Sequence, residues 1–256
     1  MKKLAACVVP TMKGRPLEKL LLSMEKTVEN PLRYVLVSTD RNFVEEFRSM
    51  KIDHKNYDHL YLPKCGVGAP RKLGVDYALS KYDPDVIINT DDDVIVKVGS
   101  VDRLINLSRN NKRFAYIASI GNLGRWIPNL DDTFVLNTRQ NGGLFALRAD
   151  FIKKYGHFDD RAKVYEDLDL TMKVWENGYY VVAIKALYAH KRRFCEMQDD
   201  GAKPGGKEWL ESMDMIAKKY PCLKLTKTRC IWKDRPKHFY HKFIINTDTN
   251  KFIRIN

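Results

Sequence analysis

Three aspartates stand side by side, Asp91-Asp92-Asp93, directly after the apolar run 86–89. Adjacent carboxylates repel one another, so such a cluster is costly unless a cation or a set of donors compensates it. Hard cations such as Mg2+ or Mn2+ take oxygen ligands and bridge carboxylates to a diphosphate. Aspartates in this setting can also simply cap a helix or turn. The six residues 89–94 leave both readings open. A second acidic group, Glu166-Asp167-Leu168-Asp169, stands at the start of a helical pattern. It suits the helix dipole, and it could equally present a general base on a rigid helix end. His190 closes an apolar run and becomes a metal ligand only if the fold brings it beside Asp93. The stretch Gly66-Val67-Gly68-Ala69-Pro70-Arg71-Lys72 opens a helix. Its backbone could approach a diphosphate, with Arg71 and Lys72 neutralising the charge. It lacks the G-K-[ST] ending of a Walker A loop, and the dinucleotide pattern breaks after Gly68.

These groups need elements to hold them. Residues 4–9 and 34–38 read as short buried strands, and 59–62 as a third. Leu17, Leu20, Leu21, Met24 and Val28 fall at helical spacing, closed by Asn30-Pro31. The spacing predicts a helix over 72–82, a strand over 86–89 leading into the aspartates, a helix over 101–107 and a strand over 114–119. Strand and helix alternate, which implies a mostly parallel sheet with helices on both faces. Ligands bind such sheets outside the carboxyl ends of the strands, where the aspartates lie. The second half is less regular. Residues 121–139 read as a long loop of the kind that forms lids. A helix is expected over 167–177, a strand over 179–188, an amphipathic helix over 207–219 and a hairpin around 247–250.

The chain has 256 residues, enough for one large core. It carries 45 Lys and Arg against 32 Asp and Glu, a net charge of +13. That excess favours contact with a polyanion, either nucleic acid or an anionic membrane surface. No apolar stretch approaches the roughly 18–20 residues of a membrane span, and the start reads as a first strand, not a signal peptide. Five cysteines with no C-x-x-C pair exclude a zinc ribbon and point to a reducing, cytoplasmic setting.

Taken in order, these segments resemble an inverting GT-A glycosyltransferase, a nucleotide-diphospho-sugar transferase, over roughly residues 4–192. The resemblance rests on Val8-Val9-Pro10-Thr11 with Arg15-Pro16, on Ser38-Thr39-Asp40, on Gly68-Ala69-Pro70-Arg71 and on Asp91-Asp92-Asp93 as a D-x-D motif. It continues through Asn141-Gly142-Gly143-Leu144-Phe145, Gly156-His157-Phe158-Asp159, Glu166-Asp167-Leu168-Asp169-Leu170 and His190. Pro70 and the short Thr39-Asp40 turn depart from the usual pattern and leave donor base and sugar open. The resemblance implies an α/β GT-A domain over 1–192 and a basic extension over 193–256 that packs on it and contacts the acceptor.

It also implies the site. Asp93 and His190, with Asp91, would hold Mn2+ or Mg2+ against the donor diphosphate. Pro10, Thr11, Arg15, Asp40, Arg71, Asp91, Asp92, Gly142 and Gly143 would line the donor, a UDP-sugar by family habit. Asp167 would take the acceptor proton, with Glu166 as neighbour or fallback base. The acceptor is read from charge. Lys191, Arg192 and Arg193 begin a basic tail interleaved with aromatics, which suits phosphate contact and base stacking. With Arg125 and Trp126 in the long loop, this resembles phage-encoded enzymes that glycosylate hydroxymethylated bases in DNA. A bacterial surface polysaccharide or lipid-linked glycan is the alternative acceptor. A non-catalytic basic nucleic-acid-binding protein, or a two-metal phosphatase or nuclease, stands further off.

Overall fold

In the computed structural model, the described residues are 3–12, 14–63, 65–120, 134–136, 143–185, 188–190, 206–220, 223–225, 230–232, 242–246 and 251–255. Strand β1 (Ala5–Thr11) leads into helix α1 (Leu17–Glu25), β2 (Leu32–Ser38), α2 (Phe43–Ser49) and β3 (Tyr57–Tyr61). Helix α3 (Gly68–Tyr82) returns to β4 (Val86–Thr90). After the aspartates come the short β5 (Val94–Val96), α4 (Ser100–Asn110), β6 (Phe114–Ile120), β7 (Phe134–Leu136), β8 (Leu144–Arg148) and α5 (Ala149–Tyr155). Helix α6 (Glu166–Glu176), β9 (Tyr180–Lys185), β10 (Tyr188–His190), α7 (Lys207–Lys219), β11 (Leu223–Leu225), β12 (Cys230–Trp232), β13 (Lys242–Asn246) and β14 (Lys251–Ile255) follow.

The main sheet runs β14-β13-β7-β9-β6-β8-β4-β1-β2-β3. Strands β3, β2, β1 and β4 are mutually parallel, and β6 is parallel to β9. Strand β8 lies antiparallel between β4 and β6. The sheet is covered on both faces. Ala5, Cys7 and Val9 of β1 face one apolar layer with Leu17, Leu20, Leu21 and Met24 of α1, Phe43 and Phe47 of α2, and Leu104 of α4. Ala6 and Val8 face the other, with Val75 and Ala78 of α3, Phe151 of α5, and Leu170 and Val174 of α6. A strand buried on both faces reads as a continuous apolar run, which is why β1 and β4 are plain in the sequence. Each fully buried leucine of α1 contributes about 1.5–3 kcal/mol.

Local chemistry sets several boundaries. Pro10 lies inside β1, beyond the Val8–Asn89 pair where β4 stops pairing, and opposite Val37 of β2. The strand expected over 4–9 therefore runs two residues further, to Thr11. Helix α3 begins at Gly68, four residues before the expected start, because Pro70 is tolerated in a first turn whose N–H groups need no intrahelical partner. Gly74 lets α3 lie close on the sheet: a Cβ there would stand 2.4 Å from Val8 Cγ1.

The expected single strand over 179–188 is two strands in different sheets: β9 joins the main sheet, and β10 pairs with β5. Helices α2 and α5 and strand β8 were not expected as elements. The hairpin around 247–250 is present as β13 and β14, and β13 adds to the main sheet through β7. Most of the long loop over 121–139 and of the basic tail lies outside the described residues. Among the described residues no helix is long and apolar enough to cross a membrane.

Candidate active site

The three aspartates leave the carboxyl end of β4, and the antiparallel β8 fixes where they start. The Gly143 carbonyl accepts the Asp91 backbone N–H at 3.0 Å and the Thr90 hydroxyl at 3.1 Å. Each carboxylate then goes its own way. Asp91, about a third exposed, accepts from Arg71 Nη2 at 2.6 Å. Asp92 is buried against the β1–α1 connection, with Arg15 Nε at 3.9 Å. Burial pushes its carboxyl up to about 7, against the pull of Arg15 and Thr11. Asp93 is 6% exposed. It precedes β5, whose Val94 pairs with His190 of β10. The backbone register thus brings His190 to the residue beside Asp93. Among the described residues, no group of three or more His, Cys, Asp and Glu side chains is arranged to hold a metal.

The second acidic group reaches the same strand end from the opposite direction. Tyr165 adopts a left-handed backbone, φ +59°, and turns the chain sharply into α6. For a non-glycine residue this costs about 1 kcal/mol or more. Glu166 is thereby buried and accepts Arg71 Nε at 3.0 Å. Burial raises its pKa, and Arg71 opposes the rise. Asp167 is half-buried and accepts the Leu168 N–H at 2.8 Å. Asp169 is fully buried and faces away from the other two, toward Lys219 of α7 at 2.6 Å and the Tyr220 hydroxyl at 3.0 Å.

Arg71 is 1% exposed, and its guanidinium lies 5.3 Å from the Phe145 ring centroid and 6.0 Å from that of Phe158. It was expected to face a diphosphate. The structure shows it bridging Asp91 at a strand end and Glu166 at a helix start. The glycines before it serve packing. The N–H groups of Val67 and Gly68 donate to the carbonyls of Lys163 and Ala162 at 3.0 and 3.1 Å. A Cβ at Gly68 would stand 2.4 Å from the Asp159 carbonyl oxygen. Those amides are therefore spent on the 159–163 turn. Asp40, at the end of β2, accepts the Asn42 N–H at 2.8 Å through one carboxylate oxygen and so helps start α2.

No protein-family model matches the sequence, and no curated protein matches it. Solved structures do. The chain is similar to residues 1–349 of S. aureus TarS at 18% identity and TM-score 0.59, over 87% of this chain and 67% of that one. It is similar to GalNAc-T7, solved with UDP, GalNAc and Mn2+, at 13% identity and TM-score 0.59, over 71% and 42%. It is similar to a Pyrobaculum calidifontis mannosyltransferase, solved with GDP-Man and Mn2+, at 16% identity and TM-score 0.55, over 71% and 54%. The fold is that of the GT-A glycosyltransferases.

Within this GT-A fold, Pro10, Thr11, Arg15, Asp40, Arg71, Gly143 and the three aspartates all stand at or next to the carboxyl ends of β1, β2 and β4 or on the elements that follow them. Glu166 and Asp167 reach the same end through Arg71. Gly142, Arg125, Trp126, Lys191, Arg192 and Arg193 lie outside the described residues, and His190 is described in its backbone alone. Sequence reasoning missed that Asp91 and Glu166 share Arg71 as their counter-charge. No spacing rule carries that signal, because Arg71 and Glu166 are 95 residues apart.

Proposed function

We propose that this protein is a metal-dependent glycosyltransferase that moves a sugar from a nucleotide diphosphate sugar, a UDP-sugar, to an acceptor hydroxyl with inversion. The observation that carries the reading is the Arg71 bridge. It ties Asp91, at the strand end where a donor binds, to Glu166, the neighbour of Asp167. Structures of the same fold that hold a nucleotide or nucleotide sugar with Mn2+ support the donor class and the ion.

The roles follow from exposure. Asp167 is the more accessible carboxylate of the pair and accepts the acceptor proton. The acceptor oxygen then bonds to the anomeric carbon, and the bond from that carbon to the diphosphate oxygen breaks. The nucleoside diphosphate leaves with the electron pair. Glu166 is ion-paired and buried, so it holds Asp167 in place through the helix start. Arg15 holds Asp92, while Pro10, Thr11, Asp40, Gly142 and Gly143 border the donor. Asp93 and His190, with Asp91, are the carboxylate and imidazole groups that would hold Mn2+. A bound ion would stabilise the charge on the departing diphosphate.

The acceptor we assign is a hydroxymethylated base in DNA, supported by the basic and aromatic residues that begin at Lys191. The test uses purified protein, Mn2+, a panel of sugar nucleotides and duplex DNA containing 5-hydroxymethylcytosine, followed by mass spectrometry of the nucleosides. A hexose or pentose mass on the modified base is expected. Donor hydrolysis without that mass moves the acceptor to a glycan or lipid. No turnover of any donor overturns the transferase itself.

A further inference from the structure

The turn that leads into Glu166 and Asp167 is strained and is gripped from two sides. Tyr165 holds a left-handed backbone, φ +59°. A non-glycine residue keeps such a conformation only where its surroundings over-determine it. On one side stands the start of α3, whose Val67 and Gly68 N–H groups donate to the carbonyls of Lys163 and Ala162. On the other side stands α7. The backbone N–H groups of Lys163 and Val164 both donate to the Ser212 Oγ, at 3.2 and 3.3 Å. Lys163 Nζ also lies 2.8 Å from the Glu211 carboxylate. The Trp209 ring meets the Tyr165 ring edge-on, with centroids 6.5 Å apart. Further along α6, Leu168 and Met172 share an apolar cluster with Trp209, Met213, Ile216 and Tyr220.

Ser212 is 1% exposed and sits with Trp209, Met213 and Ile216 on the buried face of α7. Apolar residues alone would dock that helix, because apolar burial is favourable in any orientation. A hydroxyl on the same face adds direction. Its oxygen has two lone pairs, and two successive backbone N–H groups of the turn donate to it. We infer that Ser212 is a positioning residue for the base: its oxygen, carried on α7, fixes the 163–165 turn and through it the placement of Asp167 at the start of α6. The inference rests on the reading of Asp167 as the base. It gives α7, in the segment expected to contact the acceptor, a second task in holding the catalytic helix.

The experiment compares wild type, Ser212→Ala, Ser212→Thr, Met213→Ala and Asp167→Asn, with Mn2+ and the sugar nucleotide that wild type turns over, by transfer or by hydrolysis to water. All are assayed below the melting temperature of the least stable variant. Ser212→Ala is expected to keep the donor KM and to lose about tenfold to a hundredfold in kcat, up to the cost of misplacing a reacting group by about 1 Å. Ser212→Thr keeps the oxygen and is expected to keep kcat. Met213→Ala weakens the docking of α7 without touching those hydrogen bonds; it is expected to melt lower and to keep kcat. Ser212→Cys, with its weak acceptor, takes the place of Ser212→Ala should the latter not fold. An unchanged kcat in the variant that lacks the oxygen, while Asp167→Asn is inactive, overturns the inference and leaves Asp167 its role as base. An equal kcat loss in Met213→Ala or Ser212→Thr also overturns it, because packing and not the oxygen then sets the turn. An active Asp167→Asn overturns the base reading and the inference with it, as does a wild type that turns over no sugar nucleotide.

Discussion

The two acidic runs of this protein look alike in composition and behave differently in space. Asp91, Asp92 and Asp93 leave a strand end, and the first two side chains diverge to separate elements: Arg71 of α3 for Asp91, and Arg15 of the β1–α1 connection for Asp92. Glu166, Asp167 and Asp169 start a helix, where each residue turns about 100° from the last. One points inward to Arg71, one stays accessible, and one faces α7. The strand end sends its neighbouring carboxylates to different elements, whereas the helix start leaves one accessible and uses the others as anchors. Arg71 is joined to both runs.

The comparison breaks first at Asp167. Asp167→Asn should lower transfer by about 10²–10⁴-fold while donor affinity and melting temperature hold. If instead Glu166→Gln, with Asp167 intact, gives the larger loss in transfer, the roles within the helical run are reversed. Next is the shared cation. Arg71→Ala leaves a buried glutamate and a half-buried aspartate without their partner and should cost about 3–5 kcal/mol, read by denaturant unfolding. A loss below 1 kcal/mol would mean that the two runs are held independently. Asp93→Ala should weaken Mn2+-dependent UDP binding at least tenfold in calorimetry and leave metal-free binding alone. An unchanged Mn2+ titration would remove Asp93 from the metal site. The smallest effect is at the anchor. Asp169→Ala strips the carboxylate from Lys219, leaves Tyr220 the backbone carbonyl of residue 169, and should cost about 1–3 kcal/mol with the kcat of the folded fraction preserved. A kcat loss as large as that of Asp167→Asn would place Asp169 in the chemistry.

Much of the scaffold was legible because it is periodic. The leucines of α1 recur at helical spacing and all four of Leu17, Leu20, Leu21 and Met24 are buried. Strands β1, β2 and β4 are buried on both faces and stand out as apolar runs. Less legible were α2, α5 and β8. Helices α2 and α5 are seven residues each, too short for a clear period. Strand β8 follows the Gly142-Gly143 pair, whose composition reads as a ligand contact and not as a strand start. The break between β9 and β10 was hidden because an apolar run does not say which sheet it joins.

Residue order alone implies an α/β sheet with acidic residues at a strand end, since hydrophobic period and strand–helix alternation are local properties of the chain. What each of those residues touches is set by the folded chain. It spent the amides of Val67 and Gly68 on the 159–163 turn, buried Arg71 between Asp91 and Glu166, and brought His190 to the residue beside Asp93. Such pairings join residues tens of positions apart, and their free energy depends on burial and distance, quantities that exist only once the chain has folded.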